Sequence, residues 1–74
     1  MDRLAVLKRL AEDFSDNLDD FSAQTTFEDL RMDSYAVVDY LLEVEREFGI
    51  VLNDDEILQL KNIQDVLDTI EQSI

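Results

Sequence analysis

Apolar residues return along this chain every three or four positions, in segments separated by clusters of Ser, Thr, Asn and Asp, and that period predicts helices. Leu4, Leu7, Leu10, Ala11 and Phe14 form a first stripe, with Arg3, Lys8, Arg9, Glu12 and Asp13 on the wet face, so a helix is expected over residues 3–14. The period then fails over 15–33, where polar residues surround the isolated anchors Leu18, Phe21, Phe27 and Leu30, which reads as a long ordered connection pinned to the core. A connection of that length is unusual in a small domain. Thr25-Thr26-Phe27-Glu28 has the Thr-x-x-Glu form of a capping box and predicts a short helical turn inside it.

A second helix is expected over 34–48, with Val37, Val38, Leu41, Val44 and Phe48 inward and Asp39, Glu43, Arg46 and Glu47 outward. Gly49, the only glycine, stands where a left-handed C-terminal cap is needed, and Ile50, Val51 and Leu52 then return the chain to the core. Asn53 caps a short third helix over 54–60, whose acids Asp54, Asp55 and Glu56 suit the positive end of the helix dipole. Asn62 caps a fourth, with Ile63, Val66, Leu67, Ile70 and Ile74 as its inner face. The expected architecture is all-α: a four-helix bundle with a long loop between the first two helices and a short third helix, one domain over 1–74. Its short flanks favour a free-standing protein.

Composition removes most chemistries. The 74 residues leave little room for a large active-site cleft, while 46% hydrophobic content, evenly spread, supports a folded core. Without Cys or His there is no disulfide, thiolate metal site, cysteine nucleophile or imidazole base. The tract Asp13–Asp20 invites comparison with a calcium loop, but Leu18 stands at the required glycine and Gln24 at the terminal glutamate, so no metal site is assigned. No apolar run approaches the roughly 20 residues that span a bilayer, and the acid-bearing N-terminal helix is no signal peptide, so a cytoplasmic location without membrane insertion is expected. Six basic against 19 acidic residues give a net charge of −13, which repels nucleic acid and favours encounter with proteins bearing basic patches. That self-repulsion predicts that salt or divalent cations raise the melting temperature.

The remaining candidate for chemistry is Ser34, between the acidic turn FEDLRMD and the helix AVVDYLLEVEREF. A hydroxyl at a helix start lies beside open backbone N–H groups and the positive dipole end, which favours an attached phosphate. An isolated Asp-Ser dipeptide would ordinarily be only a cap.

The surrounding residues say more. Asp33-Ser34-Tyr35, Asp39, Glu45-Arg46-Glu47-Phe48 and Leu52-Asn53-Asp54-Asp55-Glu56 follow one another at the spacing of the acyl carrier protein family, which the chain resembles from this loop to its last helix. The family signature reads Asp-Ser-Leu, then an acidic helix ending in Glu-Glu-Phe, then Ile-Pro-Asp-Glu-Glu. The resemblance implies a non-enzymatic, monomeric carrier: Ser34 receives a phosphopantetheine arm from coenzyme A through a phosphopantetheinyl transferase, and acyl groups ride on the terminal thiol. The resemblance further implies docking on acyl-loading and acyl-processing enzymes with basic patches, through Asp33, Tyr35, Asp39, Leu42, Glu45, Glu47, Asp54 and Glu56, and space between the helices that can admit an acyl chain.

Departures from the family pattern are local. Arg31-Met32 replace the usual Gly-Ala, Tyr35 a leucine, Ala36 an acid, Arg46 part of the Glu-Glu pair and Asn53 a proline. They point to a dedicated carrier in a specialised fatty-acid, polyketide or related pathway. An unmodified acidic adaptor domain and an aminoacyl or D-alanyl carrier stay open as alternatives.

Overall fold

In the computed structural model, which describes residues 2–73, the chain forms four helices: α1 (Arg3–Ala11), α2 (Ser34–Phe48), α3 (Asp54–Gln59) and α4 (Ile63–Ser73). Each of the first three begins on the side chain of the residue before it. Asp2 accepts from the Leu4 N–H, Asp33 from Ala36 and Asn53 from Glu56. At α4, Asn62 Oδ1 accepts the Asp65 N–H at 2.8 Å while the Asp65 carboxylate takes the Lys61 and Asn62 N–H groups in return. This exchange is a capping box and satisfies donors that the helix ladder cannot reach. Gly49 closes α2 at φ 66°, and its N–H and that of Ile50 both donate to the Glu45 carbonyl.

The helices enclose one core of Leu7, Ala11, Phe27, Leu30, Met32, Tyr40, Leu41, Val44, Ile50, Leu52, Ile63, Val66 and Ile70. Full burial of such side chains is worth about 1.5–3 kcal/mol apiece before chain entropy is set against it. At its centre lies Tyr40, whose hydroxyl donates to the Leu7 carbonyl at 2.9 Å, with Phe14 and Phe27 edge-on to its ring at 5.9 and 6.1 Å.

Several expectations need correction. The first helix ends at Ala11, not at residue 14, because Phe14 and Ser15 both donate to the Ala11 carbonyl and the last turn tightens. Phe14 thereby swings onto Tyr40. Val6 is buried although it stood outside the predicted stripe. Val38, expected inward, is 40% exposed, and its predicted place is taken by Tyr40. Val51 faces solvent because the extended 50–52 segment alternates sides, sending Ile50 and Leu52 inward. The third helix stops at Gln59, since Leu60 turns extended at ψ 122°. Ile74 lies outside the described residues.

Candidate functional site

The 15–33 connection is ordered and pinned to the core through Leu18, Phe21, Phe27 and Leu30, as expected. Its capping box is displaced by one residue: Thr26 Oγ1 accepts the Asp29 N–H at 2.9 Å and the Asp29 carboxylate accepts the Thr26 N–H at 3.2 Å. Thr25, predicted for that role, instead sits buried, its hydroxyl accepting from the Ser22 N–H and donating to the Asp20 carbonyl. The register moved because the backbone of Thr25 and Thr26 is engaged elsewhere, in a bridge from Thr26 to Asn62 and a bond from Ile63 N–H to the Thr25 carbonyl.

A single helical turn follows the box and is closed at its other end as well. The Met32 N–H donates to the Phe27 carbonyl and the Arg31 N–H to the Glu28 carbonyl, with Arg31 left-handed at φ 59°. This is the Schellman pattern, and its accompanying apolar contact is supplied by the buried pair Phe27 and Met32. Arg31 therefore adopts a backbone that a glycine would take without steric cost, at a penalty of about 1–2 kcal/mol for a residue with a Cβ. The turn is tied down from both sides. Ser15 Oγ donates to the Leu30 carbonyl and Asn17 Nδ2 to the Asp29 carbonyl, each at 2.8 Å, while the Phe27 N–H reaches the Lys61 carbonyl.

The chain leaves this anchored turn straight into α2. Asp33 performs the cap, its Oδ1 accepting the Ala36 N–H at 2.8 Å. Ser34, the first helical residue, is exposed, and among the described residues nothing holds its hydroxyl. The ladder of α2 starts with Val37 N–H to the Asp33 carbonyl at 2.9 Å, so the N–H groups of Ser34 and Tyr35 precede it and face water. A phosphate on Ser34 would meet these N–H groups and the positive helix end, with the Asp33 carboxylate already turned into its cap. The residues present thus fit a phosphate-linked arm.

Beside Ser34 opens a cleft of about 410 Å³, lined by Thr26, Phe27, Glu28, Val37, Val38, Ile57, Leu58, Leu60 and Lys61. Most of this lining is apolar. A larger opening of about 600 Å³ lies between the end of α1 and Arg31, but Glu12, Asp13, Asp16 and Asn17 make it polar and it does not reach Ser34. The smaller cleft is the one suited to an apolar group tethered at Ser34. Its exposed lining residue Leu58 escaped the sequence analysis; the signal for it was an apolar residue on the wet side of a helix too short to hide it.

The predicted docking residues divide by face. Tyr35, Asp39 and Leu42 fall at i, i+4 and i+7 and form one outward stripe beginning next to Ser34. Glu45 is half-buried and follows Ser34 and Val38 at helical spacing on the flank toward the cleft. Asp54 is exposed and Glu56 half-buried at the start of α3. Glu47 lies apart from these, on the α1 side, where it meets Arg9 at 3.4 Å. Arg46 pairs with Glu43 at 3.1 Å on the outer face of α2. Both pairs are solvent-exposed and contribute little to stability.

Among the described residues no helix is long and apolar enough to cross a membrane. The chain matches the family described as Phosphopantetheine attachment site over residues 5–70. It is similar to the acyl carrier protein of Rickettsia bellii, at 32% identity over 68 residues that cover 90% of this chain and 79% of that protein. The acyl carrier protein of Thermosynechococcus vestitus is 43% identical over 47 residues, covering 64% of this chain and 58% of the relative. Among solved structures, the acyl carrier protein of Thermotoga maritima superposes with a TM-score of 0.85 at 26% identity, covering 96% of this chain and 85% of that one.

Proposed function

We propose that Ser34 bears the phosphopantetheine arm of this chain, which belongs to the acyl carrier protein family. Membership makes the protein a carrier and not an enzyme, and implies a covalently attached phosphopantetheine together with a transferase that installs it and enzymes that process the acyl cargo. The observation that carries the assignment to Ser34 is its free, exposed hydroxyl at the first position of α2, where Asp33 has already taken over the cap. A serine kept only for capping would have its oxygen on a backbone N–H.

The chain supplies a hydroxyl, a rigid mount and a docking surface. It supplies no base for its own modification: there is no histidine, and the neighbouring Asp33 carboxylate is engaged with the Ala36 N–H. The Ser34 proton must therefore pass to the transferase as the Ser34 oxygen forms its bond to phosphorus and the adenosine half of coenzyme A departs. Once attached, the phosphate would have the open N–H groups of Ser34 and Tyr35 beside it to hold its charge. The arm's terminal thiol then holds acyl groups as thioesters, a bond this cysteine-free chain cannot make with its own side chains.

Docking falls to the stripe of Tyr35, Asp39 and Leu42 with Asp33, Glu45, Asp54 and Glu56 around it. Carboxylates steer a basic partner and fix its orientation, while the exposed rings and methyls supply area to desolvate. Glu47, paired with Arg9 on the α1 side, lies apart from this surface and is left out of it. The cargo's first carbons shelter in the cleft beside Ser34. Arg31 at a strained left-handed position changes the loop a transferase must grip, which supports a dedicated partner set in a specialised fatty-acid, polyketide or related pathway.

Intact mass of the protein before and after incubation with coenzyme A, magnesium and a broad-specificity phosphopantetheinyl transferase tests the assignment. A gain of one arm that Ser34→Ala abolishes, with its helical spectrum unchanged, is expected. Modification persisting in Ser34→Ala would move the site elsewhere.

A further inference from the structure

Acyl cargo leaving the Ser34 cleft for the interior would have to pass the aromatic wall at its back. Phe27 lines the cleft and is itself buried. Behind it stands Tyr40, its ring edge-on to Phe27 at 6.1 Å and to Phe14 at 5.9 Å on the far side. The three rings cross the molecule from the cleft to the end of α1. Tyr40 is wholly buried, and its hydroxyl is bound to the Leu7 carbonyl at 2.9 Å, so the ring is fixed at both its edge and its tip.

We propose that Tyr40, backed by Phe27, is the specificity-determining residue for cargo length and restricts the carrier to short acyl groups, by closing the path from the Ser34 cleft to the helix interior. This rests on the reading of Ser34 as the attachment site. To admit an alkyl chain, Tyr40 would have to leave its ring contacts and give up a buried hydrogen bond, leaving its own hydroxyl without the Leu7 carbonyl as acceptor. An aliphatic side chain at this position could change rotamer without that loss. The cleft cannot lengthen outward either. Leu58 at its rim is exposed, and the opening must hold the thiol end of the arm as well as the cargo. Longer chains therefore project into water or into a partner enzyme, and the class of cargo that the carrier protects by itself is short.

The test loads the full chain from acetyl- through dodecanoyl-coenzyme A with a promiscuous transferase, verifies one arm per chain by intact mass, and records the melting temperature of each form. Every buried methylene would add roughly 3–6 °C in a domain of this size. The expected series rises to hexanoyl and then stays level within about 2 °C, a spread smaller than one such step. Amide shifts are expected at Val38, Ile57 and Leu60, with those of Val44 and Ile70 unmoved. A melting temperature that climbs steadily to dodecanoyl would overturn the proposal. Tyr40→Leu should restore the climb, a response that a purely structural role would not produce; a folded Tyr40→Leu with a level series would overturn the role of Tyr40. If that variant does not fold, Phe27→Leu opens the same wall from the cleft side and is judged by the same outcomes. A chain that takes no arm at Ser34 instead overturns the functional reading, and this proposal with it, whereas loading with a steady climb overturns the length limit alone.

Discussion

Tyr35 and Tyr40 lie on the same helix and meet opposite fates: the first is 82% exposed and the second not at all. The five steps from one to the other turn α2 by about 140°, enough to carry a side chain from one face to the other. Tyr35 stands next to Ser34 with nothing packed over it, available to a partner. Tyr40 holds α1, α2 and the loop together through two ring contacts and one hydrogen bond. The helix thus keeps its packing on one face and leaves the other, proposed for docking, open to solvent. A carrier that must meet several enzymes can vary the outer stripe without disturbing the bundle, while the inner one admits almost no change.

Substitutions at each tyrosine sharpen this contrast. Tyr40→Ala is expected to cost about 3–5 kcal/mol, a large share of the roughly 4–11 kcal/mol available to a domain of this length, so its urea transition should shift far down or lose its native baseline. Tyr40→Phe keeps the rings and removes only the bond to Leu7, for a loss of about 1 kcal/mol in the same assay. It also changes the alkaline response. Burial pushes the Tyr40 hydroxyl well above its ordinary value, so the unfolded chain loses this proton first. The protection is complete below the unfolded value of about 10 and is lost as pH rises beyond it, at up to about 1.4 kcal/mol per unit. Tyr40→Phe should lack that share of the decline between about pH 9 and about pH 11, and equal slopes for the two proteins would refute the account.

The smaller effects concern the two left-handed residues that bracket α2. Gly49→Ala should cost about 1 kcal/mol from backbone strain alone, because no atom lies within 4 Å of the added Cβ. Arg31→Gly should do the reverse and stabilise by at most about 1 kcal/mol, since relief of strain is partly offset by the freer unfolded chain. Smallest of all in stability is Tyr35→Ala, expected within about 0.5 kcal/mol of the parent, with its effect appearing instead as slower modification at low protein concentration. A Tyr35→Ala protein as unstable as Tyr40→Phe would dissolve the division between the faces.

The same two positions show how far the sequence can be read. Gly49 announced its cap because glycine is the residue that a left-handed helix end selects, and α2 stops there as expected. Arg31 gave no such sign. Its conformation is imposed by the turn that Thr26 and Asp29 start, that Phe27 and Met32 clamp, and that Ser15, Asn17 and Lys61 hold from outside. Tyr40 was likewise hidden, since a tyrosine carries a polar tip and its place inside depends on an acceptor contributed by a helix 33 residues away.

Helical period, the cap positions Gly49, Asn53 and Asn62, and an acidic surface were determined by the sequence, because each depends on neighbours within a turn or on composition alone. So was the candidacy of Ser34, whose place at a helix start and within a spaced signature is local information. Tertiary structure decided where the first helix ends, which threonine caps the loop, that Asp33 and not Ser34 takes the cap of α2, and that an apolar cleft opens beside that serine while three aromatic rings close the space behind it. Those outcomes depend on partners far apart in the chain, whose contacts form only when the whole core packs at once.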